Sequence, residues 1–404
     1  GYLEMTNATE LDLNKRPDTD DYEALFLTDT PMFDTRAPIE FKKGAFPHVK
    51  SLPLMTDIER AKVGTSYKRD GQEAAIKLGH RLVSGKTKDE RMALWLDFAK
   101  QNPNGYLYCF RGGLRSHTTQ AWLAEAGCHY PLVKGGYKAM RRFLIDRLDS
   151  ICDYATDSER KEKFYIVAGQ TGAAKTDLLL KYNNTIDLEG LANHRGSAFG
   201  KRAAGQPSQI DFENTLSIAF LRQHHKAPNS PILLEDESHL IGRCALPEKL
   251  RAAMHKSPIV VVEADLETRV EHSFRNYILQ KLAEWEAFCV EDSEIVSLEG
   301  KSYDETSFPG KPSAFELFAE ELRKSMFNIR KRLGGVRHQD LTIMLDNALA
   351  AHEAGDNSLH REWIRVLLSE YYDPQYDYLL EKRKERIVFR GNAAEVEAYL
   401  QALN

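Results

Sequence analysis

The sequence predicts an α/β protein in which two strand–helix segments follow each other and a mostly helical segment closes the chain. Three observations carry this. Two apolar strands, Tyr106-Leu107-Tyr108 and Phe164 to Ala168, each run into a Gly-rich turn that opens a helix. Around the second turn, apolar runs alternate with helical stretches, the pattern of βαβ units and a parallel sheet. From Phe315 onward the apolar residues step by three or four instead, the spacing of an amphipathic helix.

In chain order, Ala24 to Phe33 reads as a short strand region, and Ala74–Val83 and Asp89–Gln101 read as helices. Leu114 to Ala126 is a helix closed by Gly127. A helix over 138–148 ends the first segment, and the polar stretch Asp149 to Lys163 is the linker candidate. Two buried strands, Ile232-Leu233-Leu234 and Ile259 to Val262, follow the second Gly-rich turn. The helix from Phe315 stops at Gly334-Gly335. Helices over about Gln339 to Ala354 and His360 to Tyr372 precede Pro374, and the strand Ile387-Val388-Phe389 leads into a terminal helix from Ala393.

Composition narrows the function classes. At 404 residues the chain is long enough for two or three domains, and 42% hydrophobic with 28% charged residues supports real cores. Lys+Arg at 55 against Asp+Glu at 60 gives a net charge of −5, so any nucleic-acid contact must use local basic patches. No run has the roughly 18 apolar residues of a membrane span, and residues 1–10 lack an export signal. Gly1 to Glu4 read as an added lead before a natural start at Met5. Five cysteines with no C-x-x-C pair fit neither a disulfide framework nor a zinc site, and point to a reducing cytoplasm.

The run Tyr108-Cys109-Phe110-Arg111-Gly112-Gly113-Leu114-Arg115-Ser116 sits between strand and helix. Its backbone N–H groups and the helix start can converge on an anion. With Arg111 and Arg115 nearby, that setting favours a thiolate at Cys109, which is then a nucleophile. Cys128, Cys152, Cys244 and Cys289 have no such company.

The second Gly-rich turn is Gly169-Gln170-Thr171-Gly172-Ala173-Ala174-Lys175-Thr176, a match to G-x-x-x-x-G-K-[ST] except for Ala174 at the sixth position. Gly169 and Thr171 to Thr176 are expected to bind phosphate through backbone N–H groups, with charge from Lys175 and a Mg²⁺ ligand in Thr176. If position 174 needs φ > 0, its Cβ costs about 1 kcal/mol or more. Ile232 to Ser238 is an apolar strand ending in acids, with Asp236 the expected metal ligand and Glu235 or Glu237 an expected base. Between these motifs, Asp187 to Gly200 reads as an ordered loop, with His194, Arg195 and Ser197 facing substrate. The acid-free basic run at 324–338 makes Arg330, Lys331 and Arg332 the expected RNA contacts. Arg141-Arg142 and Lys382-Arg383-Lys384 are smaller clusters.

The first segment resembles a rhodanese domain: Phe33-Asp34-Thr35-Arg36 is similar to that family's Asp-x-Arg signature, and Gly44 to Val49 with Leu52-Pro53 to its glycine–proline turn. By that resemblance Cys109 carries sulfur or selenium. Cys-x5-Arg is also the spacing of cysteine phosphatases, so loop length does not separate the two. The order of parts is more specific. A Cys-x-Arg-Gly-Gly-x-Arg-Ser loop, then a phosphate loop, then Gly190-Leu191-Ala192-Asn193-His194-Arg195-Gly196-Ser197-Ala198-Phe199-Gly200 resembles the tRNA 2-selenouridine synthases. Val63 to Lys68 and Tyr371-Tyr372-Asp373-Pro374-Gln375-Tyr376-Asp377-Tyr378 support it, and the likeness runs from about Leu25 to Gly391.

The resemblance implies a rhodanese-like domain over 12–148, a P-loop NTPase-like domain over 160–314 and its helical extension over 315–404. It implies a cytoplasmic transferase acting on 2-thiouridine at the tRNA wobble position, expected in Lys, Glu and Gln tRNAs. Geranyl diphosphate would alkylate the sulfur, and selenium from selenophosphate would then replace the S-geranyl group. These are co-substrates, with Mg²⁺ as an added ion and no tightly bound cofactor. Two alternatives stay open. One is a sulfurtransferase or cysteine phosphatase fused to an ATPase- or kinase-like module; the other is an RNA-binding protein with a degenerate phosphate loop.

Overall fold

In the computed structural model, residues 15–157, 159, 164–299 and 310–403 are described. The expected lead at Gly1 to Glu4 and part of the expected linker lie outside them. Two units emerge, one of residues 1–151 with 208–226, the other of 152–207 with 227–404.

In the first unit three short parallel strands lie in the order Lys50–Ser51, Met32–Asp34, Tyr106–Tyr108. Phe33, Trp95, Leu107 and Leu123 fill one core beside the sheet. Leu25, Phe26, Tyr108 and Met140 form a second, joined by Ile218 and Leu221 of the helix Gln209–Lys226. That helix lies in sequence inside the phosphate-loop segment, yet its apolar side chains are buried with the first unit, which moves 208–226 out of the domain expected over 160–314. The expected strand over Ala24–Phe33 is instead the helix Tyr22–Leu27, capped by the Asp21 side chain on Ala24 N–H, followed by the strand Met32–Asp34. The helix Asp57–Asp70, opened by a Thr56–Glu59 capping box, has no matching expectation. The helix expected over 138–148 runs from Gly136 to Ala155, so the linker cannot begin at Asp149.

In the second unit a wholly parallel sheet has the order Ile232–Glu235, Phe164–Gly169, Ile259–Val262, Ile387–Gly391. Apolar runs with both faces covered are what a parallel sheet requires. Glu235 lies opposite Val167 and Val262 opposite Gly169, so the phosphate loop leaves the sheet at its carboxyl edge, the usual ligand side of such sheets. The helices Ala314–Asn328, Gly335–Glu353 and His360–Val366 bury Phe318, Leu322, Leu345 and Trp363 together. Phe199, from the loop after Asp187, is fully buried in this same cluster and anchors the loop to the helical extension.

Candidate active site

The turn after Gly169 closes with Gly172 at φ +85° and Ala174 at φ +63°, ψ +36°. A Cβ on Gly172 would lie 2.5 Å from Arg269 O, so glycine is required there. Ala174 does occupy the left-handed region, where its methyl carries the strain anticipated from sequence. Lys175 Nζ donates to Gly169 O at 2.8 Å, folding over the loop. Thr176 Oγ1 donates to Glu189 Oε2 at 3.1 Å and lies 3.3 Å from Glu235 Oε1.

Two of three clustered carboxylates, Glu189 and Glu235, meet at this hydroxyl. One oxygen each of Glu189, Glu235 and Glu237 lies within 4.8 Å of the others. Glu235 is 1% exposed, and its Oε2 has no hydrogen-bond partner among the described residues. Burial, then the negative Glu189, pushes the Glu235 carboxyl well above the carboxylate range, and the same causes act on Glu237. Asp236, the expected metal ligand, is elsewhere: Arg383 grips it through two hydrogen bonds of 2.7 and 2.9 Å. Side chains alternate along extended chain, so Glu235 and Glu237 share the side that Asp236 does not.

A polar cavity of about 310 Å³ collects Thr171 to Thr176, Glu189, His194, Arg195 and Ser197. Every expected phosphate-binding residue except Gly169 lines it, as do the three expected loop residues. Arg202, Asn276 and Tyr277 also line it and were not anticipated. Asn276 and Tyr277 lie on the π-helical segment Arg275–Gln280, a distortion that recurs at functional sites but has no clear sequence signature. His194 Nδ1 accepts from Gly196 N–H at 2.9 Å, and burial lowers its pKa to about 4, which makes it a neutral imidazole at pH 7. Arg195 donates to Glu284 at 2.5 Å, Arg202 donates to the same carboxylate at 3.0 Å, and Ser197 Oγ lies 2.8 Å from Tyr277 OH.

The tyrosine-rich motif braces this site. Tyr372 OH accepts from Ala198 N–H at 3.2 Å. Asp373 pairs with Arg269, and Gln170 donates to Asp377 at 3.2 Å. Tyr371 and Tyr372 are inside or beside the helical core, leaving Tyr378 as the exposed ring, at 61%.

In the first unit Cys109 follows its strand and is 2% exposed, with Sγ 3.1 Å from Ser116 Oγ. Among the described residues, no backbone carbonyl accepts from the amides of Arg111, Gly112 or Gly113. Tyr137 N–H donates to Cys109 O at 2.8 Å, and a Cβ at Gly136 would come within 2.4 Å of that oxygen. Gly136 was a missed site residue; its close approach shapes the cysteine loop. Arg111 is exposed, whereas Arg115 is held by Glu40 at 2.6 and 3.2 Å, an ion pair 75 residues apart in sequence. Asp34 and Arg36 form a buried pair at 2.8 Å, with Arg36 donating to Gly44 O at 2.8 Å, so the Asp-x-Arg signature fixes the neighbouring turn. Cys109, Cys128 and Cys244 are free thiols. Lys331 and Arg332 are exposed on the short helix Arg330–Leu333, and Arg330 stacks over Phe327 at 3.7 Å. Among the described residues, no helix is long and apolar enough to cross a membrane.

A phosphate loop at the carboxyl edge of a parallel sheet, in one chain with a cysteine loop on a second α/β unit, defines a two-unit phosphate-loop protein. Comparison with known families sharpens that class. The family model described as the tRNA 2-selenouridine synthase AAA domain matches residues 162–404. The chain is 59% identical to the tRNA 2-selenouridine synthase of Hahella chejuensis over 382 residues, 95% of this chain and 94% of that protein. It is 50% identical to that of Pseudomonas syringae pv. syringae over 94% of this chain and 97% of that protein. To the Azotobacter vinelandii protein it is 51% identical, over 96% and 97%. The chain belongs to the tRNA 2-selenouridine synthase family.

Proposed function

We propose that this chain converts 2-thiouridine at the tRNA wobble position to 2-selenouridine in two steps, one at each loop. In the first, the thiocarbonyl sulfur attacks C1 of geranyl diphosphate and diphosphate leaves. In the second, selenium supplied by selenophosphate takes the place of the S-geranyl group, one water supplies the oxygen that replaces selenium on phosphorus, and geranylthiol and phosphate are the products. Alkylation makes a poor leaving sulfur into a thiol, which gives the order its chemical sense. The observation that carries the reading is the cavity joining the phosphate loop, Lys175, Thr176 and Arg195 in one polar space.

Lys175 and the loop amides would bind the diphosphate and take up charge as its C–O bond breaks. The Thr176–Glu189–Glu235–Glu237 group fits a hard divalent cation. Its donors are all oxygens, and the unpartnered buried Glu235 Oε2 is the kind of atom a cation satisfies. Mg²⁺ bound there would supply positive charge beside the leaving diphosphate. Neutral His194 orders its loop through Gly196 rather than carrying charge.

We read the first unit as rhodanese-like, with the loop amides holding the phosphate end of selenophosphate while the Cys109 thiolate attacks its phosphorus. The P–Se bond breaks, selenide is released to displace the geranylthiolate, and water then hydrolyses the phosphocysteine to phosphate and free Cys109. The tRNAs expected are those for Lys, Glu and Gln, gripped in part by Arg330, Lys331 and Arg332, in the cytoplasm. The test is incubation with 2-thiouridine tRNA, geranyl diphosphate and selenophosphate, followed by nucleoside mass spectrometry. Both S-geranyl-2-thiouridine and 2-selenouridine are expected; the absence of both products would refute the reading.

A further inference from the structure

The Val63-Gly64-Thr65-Ser66-Tyr67-Lys68 run has no part in either loop. It lies on the helix Asp57–Asp70, which turns at Gly71 into the helix Gln72–Leu82. Between this pair and the helix Leu114–Glu125 is a groove of about 340 Å³, at the small end of the roughly 300–1,000 Å³ of small-molecule sites. Its walls are almost wholly apolar: Met55, Val63, Tyr67, Ile76, Leu114 and Trp122. Tyr67, Ile76 and Leu114 are 57, 38 and 55% exposed, so three large apolar side chains face one uncovered trough.

Position gives the groove its meaning. Leu114, Arg115 and Thr118 line one wall, and they are the first turns of the helix that the Cys109 loop opens. Arg115 reaches Glu40 at 2.6 Å, and Arg60 stands 3.4 Å from the same carboxylate, so both guanidiniums on the lining are already paired; Gln72, His80 and Thr118 are its uncharged polar side chains. A phosphate or selenophosphate gains nothing from such walls; a hydrocarbon does. The cavity at the phosphate loop, lined by Lys175, Glu189, Arg195 and Arg202, has the opposite character.

We propose that this groove holds the hydrocarbon chain of S-alkylated 2-thiouridine while its sulfur is displaced beside Cys109. The inference rests on the two-step route above. The chain is an aliphatic, about ten-carbon group, and its burial makes the enzyme select long S-alkyl groups over short ones.

The test uses the full chain, selenophosphate, and tRNA bearing either S-geranyl- or S-methyl-2-thiouridine. Wild type should convert the geranyl substrate with a kcat/KM at least about tenfold above the methyl one, since even a single methylene discriminates by about that much. Ile76→Glu and Tyr67→Glu, at exposed positions that do not threaten folding, should cut conversion of the geranyl substrate about tenfold or more and leave the methyl substrate unchanged. Ile76→Leu should behave as wild type. An unchanged geranyl-to-methyl ratio in the Glu variants, or no preference in wild type, overturns the groove assignment while the two-step route stands. Equal loss on both substrates assigns the groove to the base or to structure and also overturns it. Failure of wild type to convert either substrate brings down the route, and the groove assignment with it.

Discussion

Arg269 and Asp373 meet through two hydrogen bonds of 2.8 Å, and Arg269 is 4% exposed. The same guanidinium reaches Thr171 O at 3.4 Å, so a residue of the C-terminal tyrosine motif holds the phosphate loop from 200 residues downstream. Asp373→Ala would leave a buried guanidinium unpaired, at a cost of about 3 kcal/mol or more. A lowered urea midpoint together with weakened geranyl diphosphate binding is expected; an unchanged midpoint would show the pair to be dispensable.

Ala174 sits at φ +63°. Ala174→Gly removes about 1 kcal/mol of left-handed strain and returns part of it as unfolded-chain entropy. Net stabilisation of about 0.5 kcal/mol in equilibrium denaturation, with geranylation intact, is the expected outcome. A clear loss of stability would mean the alanine methyl makes contacts worth more than the strain.

Glu235 and Glu237 titrate well above the ordinary value of 4.5. With raised pKa values the folded state binds more protons than the unfolded one above pH 4.5, so these groups lower stability as pH rises through that window. A divalent cation competes with those protons. Mg²⁺ should therefore raise Tm more at pH 8 than at pH 6, and Glu235→Gln should largely remove the effect. A Mg²⁺ response equal at both pH values, or retained in Glu235→Gln, would remove the cation from this site.

The triple variant Arg330→Ala, Lys331→Ala, Arg332→Ala should weaken tRNA binding and flatten the log–log salt dependence by up to about three units. Lys331 and Arg332 project into solvent, so the fold should not suffer. A slope equal to wild type would return this run to the role of a solvated helix end.

What the sequence disclosed and what it hid follow the range of the interactions involved. Strand–turn–helix motifs are local, so Tyr106–Tyr108, the phosphate loop and Ile259–Val262 stand where the residue pattern puts them. Local alternation was also enough to separate Glu235 from Asp236, but only with the strand's orientation known, and the acid run alone favoured Asp236, which Arg383 holds apart from the carboxylate cluster. Arg115 could not be placed from its neighbours because its partner, Glu40, lies 75 positions away. The helix Gln209–Lys226 shows the same limit at larger scale, since what decides its unit is burial of Ile218 and Leu221 against Phe26 and Met140. Ala24–Phe33 failed for a different reason: it mixes the end of a capped helix with the start of a strand, and a single apolar run hides the boundary.

The measurement that bears most directly on a two-loop, two-step enzyme is nucleoside mass spectrometry of 2-thiouridine tRNA treated with Cys109→Ser or with Lys175→Ala. Cys109→Ser should accumulate S-geranyl-2-thiouridine and make no 2-selenouridine. Lys175→Ala should lose geranylation by a hundredfold or more, about 3 kcal/mol of leaving-group stabilisation, yet still convert tRNA supplied already S-geranylated. Normal 2-selenouridine from Cys109→Ser, or loss of both steps in a folded Lys175→Ala protein, would contradict the division of labour between the loops.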